Sequence, residues 1–229
     1  MTFFDRLCAK TQAERADFQS ISVIKTAVNQ GVTVDLYGQY LTQAYHHVRF
    51  TVPLLQHALD NCDVGDEAYA NALAEYIEEE TGHDEWILDD IKALGLDAEA
   101  VRHGRGSLAC RVMISHAYAL IEHQSPYALL GMVHVLEGMS VELAEQAAGA
   151  IRLGFEHAGF GDTPPDAFSY LTSHGALDVE HVQFFENLVN TITNSEIQNL
   201  IVMSAKDFYI LFGNMFRALG DEVFFKPIA

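Results

Sequence analysis

The chain has 229 residues, with 32 Asp or Glu against 13 Lys or Arg and a formal charge of −19. That length suits one large domain, residues 1–229, with a substantial core. The charge argues against nucleic acid and against an anionic membrane surface as partners. The three cysteines, Cys8, Cys62 and Cys110, are odd in number and form no CxxC pair, so a reduced, cytoplasmic setting is expected. The opening "MTFFDRLCAKTQAERADF" carries charge throughout and lacks the apolar run of a signal peptide. No segment approaches the roughly 20 uninterrupted apolar residues that span a bilayer.

Helical periodicity dominates and strand alternation is nearly absent, which predicts an all-α domain of about seven main helices. The first covers Phe3 to Phe18. The second runs from Thr33 to Asn61, with a kink expected at Pro53. "NCDVGDEAY" is a polar break. The third spans Asp66 to Leu94 and stops at Gly95, a C-cap glycine. A short helix follows from Asp97 to Arg102, and "HGRGS" turns the chain. Ser107 to Glu122 and Pro126 to Leu153 are helices separated by "HQSP". "GFGDTPPD" is the most loop-like stretch, and Pro165 opens the next helix. The last helix covers Ser195 to Leu219, before the short tail "GDEVFFKPIA". The helix from Pro126 is apolar on all sides and should lie centrally.

Three of these helices carry side chains that an apolar interior does not explain. In "YLTSHGALDVEHVQFF", His174, Asp178 and His181 share a stripe about 60° wide at about 100° per residue. They are either an internal hydrogen-bond network or ligands, and imidazole with carboxylate suits iron, manganese or zinc. In "EYIEEETGHDEW", Glu80 and His83 have the i, i+3 spacing used by di-iron carboxylate bundles. Glu79, at i−4 from His83, competes with Glu80, while Glu78, Asp84 and Glu85 suit a solvated face. Glu137 stands alone in "GMVHVLEGMSV". A buried carboxylate there needs a partner, either a metal or a base such as His134. Gly82, Gly138 and Gly175 adjoin the three clusters at positions read as mid-helix, where glycine is costly, which suggests a need for space.

Together "EETGHDEW", "VLEGMS" and "SHGALDVEH", in this order, resemble the haem-oxygenase-like di-iron oxidases, which share the TenA/PqqC fold. The resemblance implies a single haem-oxygenase-like helical bundle over nearly the whole chain. It implies metal ligands at Glu80, His83, Glu137, His174, Asp178 and His181, with Glu79 as the alternative to Glu80. It further implies two iron ions and O2 as co-substrate. A peroxo-diferric species would then oxidise a small organic substrate, a carboxylic acid or an amino-acid-like molecule. Known members of the family act on fatty acids, amino acids or guanidine nitrogens. Such centres lose metal readily, so manganese or a single ion in a purified sample is compatible with it. A homodimer is also implied.

In the shared fold the helix holding "QAYHHVRFTVP" borders the central cavity. Tyr45, His47 and Arg49 are therefore substrate-pocket candidates, with Arg49 placed to pair with a carboxylate. Against that, an Arg on an amphipathic helix ordinarily faces solvent. Three rival readings remain. A TenA-type thiaminase-like hydrolase needs a nucleophilic cysteine, and Cys110 is the only mid-chain candidate. A haem oxygenase needs an axial histidine near the N-terminus, whereas the first histidine here is His46 and no G-x-x-x-G run occurs. The third rival is a non-enzymatic binding protein of the same fold, which would take up no iron.

Overall fold

The computed structural model describes residues 1–157 and 166–219, without the side chains of 156–157 and 174–180. The described residues form eleven α-helices and one 3-10 turn, with no strand among them. In chain order these are α1 (Phe3–Ser20), α2 (Ser22–Gln30), α3 (Val34–Val48), α4 (Thr51–Asp60), α5 (Glu67–Glu80) and α6 (His83–Ala93). There follow α7 (Ala98–His103), α8 (Leu108–His123), the turn Pro126–Ala128, α9 (Leu129–His157), α10 (Ser169–Thr191) and α11 (Ser195–Arg217). The segment "GFGDTPPD" up to Pro165 and the tail from Gly220 lie outside the described residues.

The count exceeds seven for local reasons. The expected long helix from Thr33 to Asn61 breaks at Arg49 and Phe50, not at Pro53. Pro53 sits in the first turn of α4, where its missing N–H has no intrahelical partner to lose. The expected helix from Asp66 to Leu94 breaks at Thr81 and Gly82, and Gly82 takes φ +93. That left-handed backbone is easy for glycine and costly for other residues. Thus Gly82 is a hinge between α5 and α6, and not a mid-helix residue. Helix α2, absent from the sequence reading, has only nine residues.

Several helix starts are capped by side chains. Thr2 and Asp5 form a reciprocal capping box on α1, at 2.8 and 3.2 Å. Asp97 caps α7, Ser107 caps α8, and Asn194 caps α11. Each satisfies backbone N–H groups that a helix start leaves unpaired.

Helix α9 is the spine, flanked by α2, α10 and α11. The helical stretch Pro126–Phe155 is long and apolar enough to cross a membrane by length and composition, and half of its most apolar window is buried inside the bundle. Gly131 lets α11 approach it: a Cβ there would meet the Ala205 nitrogen at 2.5 Å. Two apolar clusters form the core. One gathers α1, α4, α5, α8 and α11 around the first half of α9, and the other gathers α3 and α6 around its second half. The clusters meet along α9 near Glu137, and this seam positions the site.

Candidate metal centre

Glu79 and Glu80 end α5, His83 starts α6 across the Gly82 turn, and His181 lies midway along α10. The Glu80 carboxylate sits between the two imidazoles. Its Oε2 is 3.1 Å from His83 Nδ1, and its Oε1 is 3.7 Å from His181 Nδ1. His181 Nε2 is also 3.2 Å from Glu79 Oε2. The side chains of Glu80, His83 and His181 are at most 9% exposed, whereas that of Glu79 is 42% exposed. Glu80 therefore bridges the imidazoles from the interior, and Glu79 reaches His181 from the solvent side. The His83 ring stacks on Trp86 at 4.2 Å, which fixes its plane.

Glu137 faces the same seam from α9. It lines a cavity of about 190 Å³ together with Glu80, Tyr76 and His47. Tyr76 is one helical turn before Glu80 and adjoins Glu137; its ring meets that of His181 edge-on at 6.1 Å. Burial, reinforced by the negative charges of Glu137, Glu79 and Glu80, holds its phenol well above the ordinary range. Tyr76 thus keeps its proton at any physiological pH. The sequence reading did not single it out, although its i−4 spacing from Glu80 places it on the ligand face.

The structure thus brings Glu79, Glu80, His83 and His181 together, with Glu137 and Tyr76 on the shared cavity. The side chains of His174 and Asp178, and Gly175 with them, lie outside the described residues. Among the described residues no group of three or more His, Cys, Asp or Glu is arranged to hold an ion. The donor types nevertheless fit iron, since buried carboxylates face imidazoles from separate helices.

His134 is directed elsewhere. It contacts Thr11 at 3.4 Å and packs among Phe4, Phe185 and Tyr209. Burial, with Arg15 nearby, holds its imidazole down at about 4. It is a neutral core histidine and not the partner of Glu137. A Cβ on Gly138 would meet nothing within 4 Å, so no close helix approach requires that glycine.

Of the three pocket candidates, His47 lines the cavity and Tyr45 and Arg49 do not. Arg49 is exposed, donates to the Arg102 carbonyl at 3.2 Å, and lies over the rings of Tyr45 and Phe50. The helix break at Arg49 turns its guanidinium away from the interior. Tyr45 is buried beneath it in the second core cluster.

This layout defines an all-helical protein of the haem-oxygenase-like and TenA-like fold. It superposes on a domain of unknown function with a haem oxygenase-like fold from Shewanella denitrificans. That match has TM-score 0.83 and 18% identity over 97% of this chain and 94% of that one. A TenA homologue from Pseudomonas syringae matches with TM-score 0.76 and 12% identity, over 94% of this chain and 91% of its own. The haem oxygenase-1 of the cyanobacterium Synechocystis, in complex with haem, matches with TM-score 0.70 and 11% identity, over 97% and 94%. No curated protein sequence matches. Residues 38–211 match the family described as iron-containing redox enzyme, and the chain belongs to that family.

Proposed function

We propose that this chain is a non-haem oxidase that uses two iron ions and O2 to oxidise a small organic substrate. The observation that carries the reading is the Glu80 carboxylate, buried between His83 and His181 at the edge of an apolar cavity. Glu80, His83, Glu137, His174, Asp178 and His181 would hold the metal, with Glu79 as the alternative to Glu80. Bound iron supplies the reduction of O2 that organic side chains cannot perform.

The protein's own groups then have distinct tasks. Glu80 orients the His83 ring through its Nδ1, and Trp86 stacks on that ring's face. Tyr76 keeps a proton beside Glu137 and serves as a hydrogen-bond donor at the cavity wall. The apolar walls contributed by Val133, Leu136 and Leu143 exclude water from the reacting volume.

The rival hydrolase needs a reactive thiol in the cavity, and no described lining residue is a cysteine. Cys110 is buried elsewhere, and burial pushes its thiol up to about 12. A thiol held that far above neutral pH is a poor nucleophile.

Anaerobic titration with Fe(II) tests the oxidase reading and should give about two irons per chain. Brief exposure to O2 should then produce a transient visible absorption band, and Glu137→Ala and His174→Ala should each abolish it. If both variants load two irons and react as the parent does, the ligand assignment fails.

A further inference from the structure

Gln43, His46 and Arg49 recur every three residues along one side of α3, and none of them lines the cavity. All three meet the loop that joins α7 to α8. The Ser107 nitrogen donates to Gln43 Oε1 at 2.8 Å, and Arg49 Nη1 donates to the Arg102 carbonyl at 3.2 Å. Between these two contacts His46 lies against the loop glycines. A Cβ on Gly104 would stand 3.7 Å from His46 Nε2, and one on Gly106 would meet His46 Cβ at 2.9 Å.

This loop concentrates positive charge on an acidic chain. Arg49, Arg102, Arg105 and Arg111 are four of its 13 Lys and Arg residues. Arg102 is neutralised by Glu85, whose oxygens it grips at 2.6 and 2.7 Å, and its Nε reaches Glu99 at 3.4 Å. Arg49, Arg105 and Arg111 are exposed, and none of them meets a carboxylate among the described residues. Arg111 Nε donates to the Gly106 carbonyl at 3.2 Å, a contact that leaves its charge unbalanced. The start of α8 adds to this field. Ser107 caps the Cys110 nitrogen at 3.2 Å, while the Leu108 and Ala109 N–H groups have no intrahelical acceptor. The N-terminus of this 16-residue helix carries partial positive charge.

A buried imidazole faces the same loop. His46 is 5% exposed and makes no hydrogen bond among the described residues. Burial, with Arg49 nearby, holds it down at about 4, so it is neutral and carries one N–H donor. A buried donor without an acceptor is costly, and its Nε2 is directed at Gly104.

We propose that the loop from His103 to Ser107, with His46, Arg49, Arg105 and Arg111, binds a phosphate group, free or carried by a small molecule. Guanidinium forks, first-turn N–H groups and an imidazole N–H are all donors, which suits a tetrahedral dianion with acceptor oxygens on every side. A carboxylate brings two oxygens and half the charge, and satisfies fewer of them. The chain's charge of −19 disfavours a polyanion, which would extend onto acidic surface. The site uses neither the metal ligands nor the cavity, so it stands or fails apart from the oxidase reading.

Calorimetric titration of the full chain with inorganic phosphate tests this, at about pH 8 where phosphate is mainly the dianion. Binding should saturate at one phosphate per chain and weaken as sodium chloride is added. Sulfate should compete, and acetate should bind about tenfold more weakly or worse. Arg105→Gln and Arg111→Gln should each weaken phosphate by about fivefold or more. Arg152→Gln, which removes a guanidinium lying over the Phe168 ring, should leave it unchanged. In NMR spectra the same titration should move the His46 ring signals and the Gly106 and Leu108 amide signals. Unsaturable uptake, acetate binding as tightly as phosphate, or parental affinity in both Arg105→Gln and Arg111→Gln would overturn the proposal. Glycerol 3-phosphate binding more tightly than inorganic phosphate assigns the site to a phosphorylated small molecule, and the reverse order assigns it to the free ion.

Discussion

The Asp90 carboxylate closes the start of α10 through Ser169. Its Oδ1 accepts from the Ser169 nitrogen at 3.0 Å and from the Ser169 hydroxyl at 2.6 Å, while its Oδ2 accepts from the Tyr170 nitrogen at 2.9 Å. Asp90 is 1% exposed. Burial pushes its carboxyl up from the ordinary range, and the three donors pull against that rise. Helix α6 therefore does two things. Its first residue is His83, and two turns later it fixes the N-terminus of the helix that bears His181.

Asp90→Ala removes this cap and leaves buried N–H groups without acceptors. It should cost about 1–2 kcal/mol in urea denaturation. Because α10 then starts less firmly, Fe(II) affinity should fall as well, although Asp90 is no ligand. Asp90→Asn keeps one acceptor oxygen and should fall between the two. An Asp90→Ala protein with unchanged stability and unchanged iron affinity would show that the cap does not position α10.

Glu80 and Glu79 should separate under the same titration. Glu80 is buried and touches the imidazoles of both His83 and His181, while Glu79 is partly exposed and, of these two, touches His181. Glu80→Gln should lower Fe(II) affinity by about tenfold or more, and Glu79→Gln by much less. The reverse order would make Glu79 the ligand and Glu80 a residue that orients His83.

The fold class was legible because helical periodicity survives in the long described segments, and the candidate site residues stood out because charge is scarce in the apolar interior. The segmentation was less so. Nothing in "EETGH" tells whether its glycine continues a helix or reverses φ, because that depends on how α6 must turn to pack against α3. The nine residues of α2 are too few for a firm periodic signal, yet they supply a cavity wall. Arg49 is a candidate carboxylate partner only because the resemblance places its helix beside the cavity, and its residue type alone suits a solvent-facing position equally. Its direction was set by the break between α3 and α4, which the sequence does not mark. Asp90, in "WILDDIK", carries no spacing signature, since its partners are 79 and 80 residues away.

The Gly82 turn gives a third prediction. At φ +93 any side chain is strained, although a Cβ there would meet nothing within 4 Å. Gly82→Ala should therefore cost about 1–2 kcal/mol through the backbone alone. It should also displace His83, which follows directly, and so weaken iron binding. Gly138→Ala provides the contrast, because it also has open space but sits in a regular helix. It should be neutral or slightly stabilising. Equal effects at the two glycines in thermal melts would remove the backbone argument.

Acid should destabilise the protein through two buried histidines. Burial, helped by Arg49 for His46 and by Arg15 for His134, holds both imidazoles down at about 4. In the unfolded chain a histidine titrates near 6.5, so between these values the unfolded state binds more protons than the folded one. Stability is then fully present above the unfolded value and is lost as pH falls toward the folded one. Between pH 7 and pH 5 each histidine should remove about 2 kcal/mol. His134→Gln keeps a polar group facing Thr11 but cannot titrate, so it should roughly halve the loss. Urea denaturation of the parent and the variant at both pH values measures it. A variant that retains the parent's full pH dependence would assign the acid sensitivity to other groups, with the carboxylate–imidazole cluster around Glu80 the first to examine.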